Sequence, residues 1–372
     1  MPLPTTQQHP AIRASFRQAR ETPHSRHRDI AQALGIAEGE LIAAHCGPFD
    51  TSESPLKARR LRAEWPQIVA ALEPLGEVMA LTRNDSCVHE KVGVYRNTSV
   101  SGPASHRMGL VLGGAIDLRV FYGQWAHGFA VEERLVHAQA AGAVQRSLQF
   151  FDAQGQAVHK VFLREASAID AYFGLVEQFA TPELVAGISV APPRARVVEA
   201  PDAEVDVLQF REAWASMRDT HEFFGLLKKF GVTRTQGLRL ASPEFVHSVA
   251  AASAHEVMTR AAQAGVPIMV FVGNPGMIQI HGGPVKRVEV MGSWLNVLDP
   301  GFNLHLREDH IATAYLVKKP TSDGLVHSVE LFDANGETIA MLFGERKPGQ
   351  AERCDWRELL ASLSPEVVPC AA

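Results

Sequence analysis

The chain of 372 residues contains one segment twice, and this duplication constrains its fold more than any other feature. Residues 147–158 read SLQFFDAQGQAV, and residues 328–339 read SVELFDANGETI. The match extends upstream, where EVMALTRNDSCVHEKVG (residues 77–93) aligns with PIMVFVGNPGMIQIHGG (residues 267–283) and places Asn84 on Asn274. This spacing is far longer than the roughly 20–50 residues of a solenoid repeat. The sequence therefore predicts a tandem duplication of a whole domain.

Each copy combines helical periodicity with short apolar runs that are separated by turn signals. In the first copy these patterns predict helices over 25–35, 38–45, 62–75 and 166–179, and strands between residues 77 and 163. In the second copy they predict helices over 210–230, 242–264 and 355–363, and a sheet over 267–343. We therefore predict an α+β fold, in which two stacked antiparallel β-sheets are flanked by helices.

The paired prolines Pro192 and Pro193 predict a linker between the copies, because adjacent prolines do not pair inside a sheet. The prediction places an N-terminal repeat at residues 1–190, the linker at 191–206 and a C-terminal repeat at 207–372. Ligand pockets favour interfaces of this kind, so a cleft between the two copies is expected.

Composition excludes several classes of function. The net charge of −5 comes from interspersed acidic and basic residues, so the chain lacks the basic patch of a nucleic-acid-binding protein. The first residues, MPLPTTQQHP, lack the apolar core of a signal peptide, and no window reaches the roughly 20 apolar residues of a membrane span. We therefore expect a cytoplasmic protein that is not embedded in a membrane. Nucleotide-binding, zincin and serine-hydrolase motifs are absent from the sequence.

Two residues stand out as candidates for a functional site. If residues 211–230 form one helix, His221 shares an apolar face with Trp214, Met217 and Phe224, where it is either a satisfied core histidine or a metal ligand. Arg119 lies in the apolar strand pattern IDLRVFYGQW and needs an anion nearby. That anion is either an acidic side chain of the protein or a bound ligand.

Seven segments, in order along the chain, resemble the HemS/HmuS/ChuS family of cytoplasmic haemin-degrading and haemin-transport proteins. These segments are RNDSCVHEKVGVY, IDLRVFYGQW, SLQFFDAQGQAVHKVF, MRDTHEFFGLL, VPIMVFVGNPGMIQIHGGPV, NVLDPGFNLHL and KKPTSDG. The likeness covers nearly the whole chain. It implies a duplicated α+β fold that binds one haem in a cleft of the C-terminal half facing the N-terminal half.

The resemblance also implies roles for single residues. It makes His221 the axial ligand of the haem iron and Arg119 the distal, catalytic residue that stabilises a peroxo ligand or a water, with Phe121 as a distal aromatic neighbour. The remaining residues assigned to haem contact are Arg234, Lys319 and Arg346 at the propionates, and Phe343 and Met269. The family often has a tyrosine where this chain has Phe343, so one hydroxyl near the haem is missing.

Two functions are consistent with this resemblance. The first is a haem-degrading oxygenase, for which haem is both cofactor and substrate and an external reductant is required. The second is a non-catalytic carrier that delivers haem from an inner-membrane importer to a separate haem oxygenase. Residues 222–224 offer no second histidine beside His221, which favours fixed ligation and, narrowly, the enzyme. Haem, an importer, a reductase or a haem oxygenase are the expected partners of a monomer or homodimer.

Overall fold

The computed structural model describes residues 5–23, 25–50, 54–103, 106–135, 142–347, 349–361 and 363, which form ten α-helices and eighteen β-strands. The chain divides into two compact units. Unit 1 consists of Met1–Arg83, Glu90–Arg194 and Asn274–Gln279, and unit 2 consists of Asn84–His89, Ala195–Gly273 and Ile280–Ala372. None of the helices in the described ranges is both long and apolar enough to cross a membrane.

Unit 1 contains helices near both ends of its sequence and strands between them. Its helices are α1 (Thr5–Ala19), α2 (His27–Ala33), α3 (Glu38–Ala43), α4 (Trp65–Ala70) and α5 (Ile169–Phe179). Its strands are β1 (Leu56–Arg60), β2 (Val78–Arg83), β4 (Thr98–Ser101), β5 (Met108–Val111), β6 (Asp117–Phe121), β7 (His127–Arg134), β8 (Val144–Phe151) and β9 (Ala157–Leu163). Strand β3 (Cys87–Gly93) contributes residues to both units.

Unit 2 repeats this order of elements. Its helices are α6 (Val207–Ala215), α7 (Glu222–Phe230), α8 (Arg234–Leu240), α9 (Ser253–Ala264) and α10 (Cys354–Ala361). Its strands are β10 (Val246–Val249), β11 (Ile268–Asn274), β13 (Val288–Met291), β14 (Trp294–Asp299), β15 (Phe302–Arg307), β16 (Thr313–Thr321), β17 (Gly324–Phe332) and β18 (Thr338–Gly344). Strand β12 (Met277–Gly283) is again divided between the units.

The described strands form two nine-stranded sheets, and the paired strands with assigned register run antiparallel. Their orders are β1-β7-β8-β9-β2-β3-β15-β14-β13 and β10-β16-β17-β18-β11-β12-β6-β5-β4. The meander β1-β7-β8-β9-β2 has the same connectivity as β10-β16-β17-β18-β11. The predicted α+β class with antiparallel sheets is therefore confirmed, and the repeated sequence corresponds to a repeated topology.

The duplicated segment forms the same hairpin in each unit. In β8–β9, Oδ1 of Asp152 accepts hydrogen bonds from the backbone N–H groups of Gln154 and Gln156, at 3.0 and 2.8 Å. In β17–β18, Asp333 does the same for residues 335 and 337, at 2.8 and 2.9 Å. Each turn places a glycine at positive φ, 72° at Gly155 and 77° at Gly336, where a residue without a Cβ is favoured. The Asp-x-x-Gly pattern is therefore repeated because this turn requires it.

The meander of unit 2 has two different faces. Ile268 and Val270 of β11 are fully buried in a core that also contains residues of α9 and α10. The alternate residues Met269 and Phe271 are only partly buried and lie on the opposite face, because successive side chains of a strand point to opposite sides. Helices α6, α7 and α8 share a second core with Val317 and Phe332 of the sheet.

Several element predictions were wrong. The helix predicted over 210–230 is interrupted between Ala215, where α6 ends, and Glu222, where α7 begins. The break contains Asp219, whose side chain accepts a hydrogen bond from the backbone N–H of His221 at 2.9 Å. Such local side-chain bonds compete with helix formation. The helix predicted over 242–264 begins only at Ser253, and Val246–Val249 instead forms β10, which pairs with β16. Strand β1 was not predicted.

Candidate functional site

The imidazole of His221 is exposed and held from one side. The residue is the N-cap of α7, and 86% of its side chain is accessible to solvent. Its Nδ1 lies 2.6 Å from Oδ1 of Asp219. A carboxylate at this nitrogen favours the tautomer that carries the proton on Nδ1, which leaves the Nε2 lone pair available to a metal. The predicted apolar environment of His221 was wrong, and Phe224 is also 76% exposed.

Asp219 remains ionised beside His221. Its pKa is lowered by hydrogen bonds from the backbone and then the side chain of His221, with a smaller contribution from the charge of Arg346. Arg346 is itself paired with Asp323, with Nη2 and Oδ2 3.4 Å apart. A carboxylate that accepts from a histidine increases the basicity of the other ring nitrogen, so this pair suits the ligation of a metal.

Two of the predicted propionate-binding cations meet at one aromatic ring. Cζ of Arg234 and Nζ of Lys319 lie 4.9 and 4.5 Å from the ring centre of Phe223, within the range of cation–π contacts. Phe223 is buried in α7, close in sequence to His221. The two cations therefore pack against the helix that begins after His221.

Lys319 lies inside the sheet, although lysines are rarely buried. Strand β16 lies between β10 and β17, and only 4% of the Lys319 side chain is exposed. The buried ammonium is tolerated because Oε1 of Glu330 lies 2.5 Å from Nζ. Burial lowers the pKa of Lys319 to about 8, although the charge of Glu330 acts in the opposite direction.

Met269 and Phe343 extend this site along the sheet. They are register partners in β11 and β18, and the rings of Phe343 and Phe271 are 5.0 Å apart. Nζ of Lys319 lies 5.9 Å from the ring centre of Phe343. The structure thus brings together four of the predicted residues, Arg234, Lys319, Phe343 and Met269, on one partly apolar and cationic face of unit 2.

The two predicted distal residues belong to unit 1. Arg119 and Phe121 alternate with buried residues on β6 and therefore share a face of that strand. Arg119 forms an ion pair with Asp117 and also donates to the carbonyl oxygen of Leu118 at 3.2 Å. Its side chain is 29% exposed. The acidic partner considered from the sequence is therefore present, and part of the Arg119 side chain remains accessible.

Sequence reasoning missed two acidic residues of the site. Asp219 lies two positions before His221, a spacing at which an aspartate commonly bonds the following backbone, so this signal was available. Glu330 gave no usable signal, because it alternates with apolar residues of β17 and only the fold brings it to Lys319. Within the described ranges, no group of three or more His, Cys, Asp or Glu residues is placed to hold a bare metal ion.

This arrangement suits a planar, anionic, metal-bearing ligand. It offers one imidazole nitrogen that could ligate a metal, partly buried aromatic and thioether side chains as an apolar surface, and arginine and lysine as partners for carboxylates. Haem needs these three kinds of contact, so the residues present fit the group that the resemblance implies.

Comparisons with known proteins agree on one family. The model of the haemin-degrading HemS/ChuX domain matches the chain twice, at residues 35–179 and 231–363. The hemin transport protein HmuS of Yersinia pestis is 40% identical over 92% of this chain and 94% of its own length. The hemin transport protein HemS of Yersinia enterocolitica is 38% identical over the same shares.

Solved structures give the same result. The chain is similar to holo-PhuS, a heme-binding protein from Pseudomonas aeruginosa, with 46% identity, a TM-score of 0.86 and coverage of 95% of this chain and 99% of that one. It is also similar to ChuS, an E. coli heme oxygenase, with 36% identity and a TM-score of 0.79 over 94% of this chain and 100% of that one.

Proposed function

Because the chain belongs to the family of haemin-degrading HemS/ChuX-domain proteins, we propose that it acts in bacterial haem-iron uptake, holds one haem through His221 and opens the ring to release iron. The observation that carries this proposal is the pair of His221 and Asp219, with Nδ1 and Oδ1 2.6 Å apart, at the exposed start of α7. Its relatives HmuS and PhuS are a hemin transport protein and a heme-binding protein.

Each residue has a separate task in this proposal. His221 would bind the iron through Nε2, and Asp219 accepts a hydrogen bond from Nδ1–H and so keeps the ring in that tautomer. Arg234, Lys319 and Arg346 receive the propionates, and Met269 and Phe343 contact the macrocycle and exclude water from it. The missing tyrosine hydroxyl at Phe343 removes one hydrogen bond, with a net value of about 1 kcal/mol.

Haem supplies the oxygen chemistry, and its ring is the substrate that is opened. The chain provides Arg119 as a fixed positive donor on the distal side, with Phe121 as its apolar neighbour. A positioned cation in a site that excludes water stabilises developing negative charge strongly. Asp117 orients the guanidinium, since the two groups are ion-paired. The sequence contains no flavin or nicotinamide motif, so an external reductase or a small reductant supplies the electrons.

A second candidate function is haem delivery without turnover. The observation that favours it is the 86% exposure of the His221 side chain, because an accessible ligand is readily exchanged with an incoming one. In this case the protein takes haem from an inner-membrane importer and passes it to a separate haem oxygenase. Both functions include a cytoplasmic location, as a monomer or homodimer.

The test of haem binding is a titration followed by the Soret band. We expect the His221→Ala protein to lose the spectrum of a histidine-ligated haem. The Asp219→Asn protein should bind about 10–100-fold more weakly, the usual cost of losing a partner of a ligating histidine. Asp206→Asn is the control, since Asp206 caps α6 by accepting from the N–H of Gln209 at 3.0 Å. A His221→Ala protein with the unaltered Soret band would reject His221 as ligand.

Turnover separates the enzyme from the carrier. Haem is loaded without oxygen, and air and ascorbate are then added in the presence of catalase, which removes free peroxide. We expect the Soret band to disappear with release of iron and an open tetrapyrrole, and we expect Arg119→Ala to abolish this reaction. A stable Soret band, together with transfer of the haem to an added haem oxygenase, would establish the carrier instead.

A further inference from the structure

A fully buried carboxylate lies between the two cations of the site. Oε1 of Glu330 accepts from Nζ of Lys319 at 2.5 Å and from Oγ of Ser328 at 3.0 Å. Oε2 accepts from Nε of Arg234 at 2.8 Å. The Glu330 side chain is 0% exposed, whereas 26% of Arg234 is accessible. The group of one carboxylate and two cations carries one net positive charge.

We infer that Glu330 is a positioning residue, whose carboxylate aligns the cations of Arg234 and Lys319 to receive the carboxylates of haem. This inference rests on the proposed haem-binding function and extends it to a residue to which the resemblance assigns no role. The Glu330 carboxylate has no exposed surface, and it bonds the two cations and Ser328. It acts through the two cations, which approach the ring of Phe223 at 4.9 and 4.5 Å.

The first repeat provides an internal comparison. In unit 1, Gln149 takes the position of Glu330, and its Nε2 donates to Oγ of Ser147 at 3.0 Å, as Ser328 bonds Glu330. The register pairs Glu133 with Gln145 and Lys319 with Val326, which places Glu133 at the position of Lys319.

The charges of the two copies therefore change together. Glu38 begins α3 in unit 1, just as Arg234 begins α8 in unit 2. Unit 1 has carboxylates at the first two positions, Glu133 and Glu38, and the neutral amide of Gln149 at the third. Unit 2 has cations at the first two positions, Lys319 and Arg234, and the carboxylate of Glu330 at the third. The hairpin itself forms with either residue, so Glu330 is not required by the local fold.

The carboxylate also determines the protonation of its neighbour. Burial lowers the pKa of Lys319 to about 8, with Glu330 raising it and Arg234 lowering it further. A buried lysine that loses its acidic partner gives up its proton more readily. Without Glu330, the site would retain Arg234 as a cation but would lose the charge of Lys319 near neutral pH.

The test compares two probes, haem and haem dimethyl ester, in which both propionates are uncharged. We expect the wild-type protein to bind the free acid more tightly than the ester. In Glu330→Gln, affinity for the free acid should fall about tenfold or more, because charge-assisted bonds to carboxylates are lost, while affinity for the ester is unchanged. Glu330→Asp retains the charge at a shorter reach and should have an intermediate preference.

Glu352→Gln is the matched control. Glu352 is another buried acid of unit 2, and its Oε2 lies 2.6 Å from Nδ1 of His327. We expect this variant to keep the wild-type preference for the free acid. The positioning role would be overturned if Glu330→Gln lost affinity equally for haem and for the ester, or if it bound the free acid more tightly than the wild type does. If Glu330→Gln does not fold, Glu330→Asp is measured instead. A preference of Glu330→Asp for haem over its ester equal to that of the wild type would then overturn the positioning role. A wild-type protein that binds neither probe would instead refute the proposed function.

Discussion

At the scale of single residues, burial and hydrogen bonding decide which polar side chains keep a charge. His159 is almost fully buried, with Nδ1 2.9 Å from Oγ1 of Thr82 and Nε2 2.5 Å from the hydroxyl of Tyr95. Burial lowers its pKa to about 3. Glu330 is also completely buried, but the charges of Arg234 and Lys319 outweigh burial and lower its pKa to about 2. One residue is therefore kept neutral and the other ionised.

The lowered pKa of His159 predicts that the protein loses stability in acid. The unfolded chain takes up this proton near pH 6.5, whereas the folded protein resists it down to about pH 3. Stability is therefore complete above pH 6.5, and it falls by up to about 1.4 kcal/mol for each pH unit below that value. Urea unfolding between pH 7.5 and 4.5 should show a shallower decline for His159→Gln. His106 is exposed, so His106→Gln is the control. If the free energy of unfolding fell equally with pH in all three proteins, His159 would not be the source of the acid sensitivity.

At the scale of elements, short-range contacts set where helices and strands end. In the break between α6 and α7, Asp219 accepts from the backbone N–H of His221 at 2.9 Å. Helix α8 begins where Oγ1 of Thr233 accepts from the N–H of Gln236 at 3.1 Å. The end of β18 has a further constraint. A Cβ at Gly344 would lie 2.6 Å from Cγ of Trp356, which is fully buried in α10.

Gly344→Ala should therefore destabilise unit 2 by roughly 1–3 kcal/mol, since overpacking forces the tryptophan from its position. Gly174 in the middle of α5 is the matched control, because a Cβ there meets nothing within 4 Å. Gly174→Ala should stabilise the protein by about 0.5–1 kcal/mol. Thermal unfolding should give a lower Tm for Gly344→Ala and a higher Tm for Gly174→Ala than for the wild type. A Gly344→Ala protein as stable as the wild type would show that α10 is not tightly packed against β18.

At the scale of the whole molecule, the two repeats exchange one turn each. Asn84 belongs to the first repeat but to unit 2, where its Nδ2 donates to the carbonyl oxygens of Gly273 and Ile339, at 3.1 and 2.8 Å. Asn274 belongs to the second repeat but to unit 1. Its Nδ2 donates to the carbonyl oxygens of Arg83 and Val158, at 2.9 and 2.8 Å. Asn84 and Asn274, which align in the two repeats, therefore make equivalent contacts, each in the unit formed mainly by the other repeat.

Asn84→Ala and Asn274→Ala should each lower the free energy of unfolding by about 1–3 kcal/mol, because each removes two donors to backbone carbonyls. Asn335→Ala is the control, since Asn335 lies exposed in the β17–β18 turn and replacement at such a position has little effect. Chemical denaturation measures the three variants. Equal stability of Asn84→Ala and Asn335→Ala would show that the exchanged turn contributes nothing.

The duplication, the α+β class and the hairpin turns follow from the amino-acid sequence alone, because the Asp-x-x-Gly pattern and alternating apolar residues act over a few neighbouring positions. Through the resemblance to a family it also predicts His221 and the other candidate residues of the site. The fold was needed to show that Lys319 is buried, that Glu330 joins it to Arg234, and that Asn84 and Asn274 occupy exchanged units. These contacts join residues far apart in the chain, and their energies depend on burial, which a local pattern does not contain.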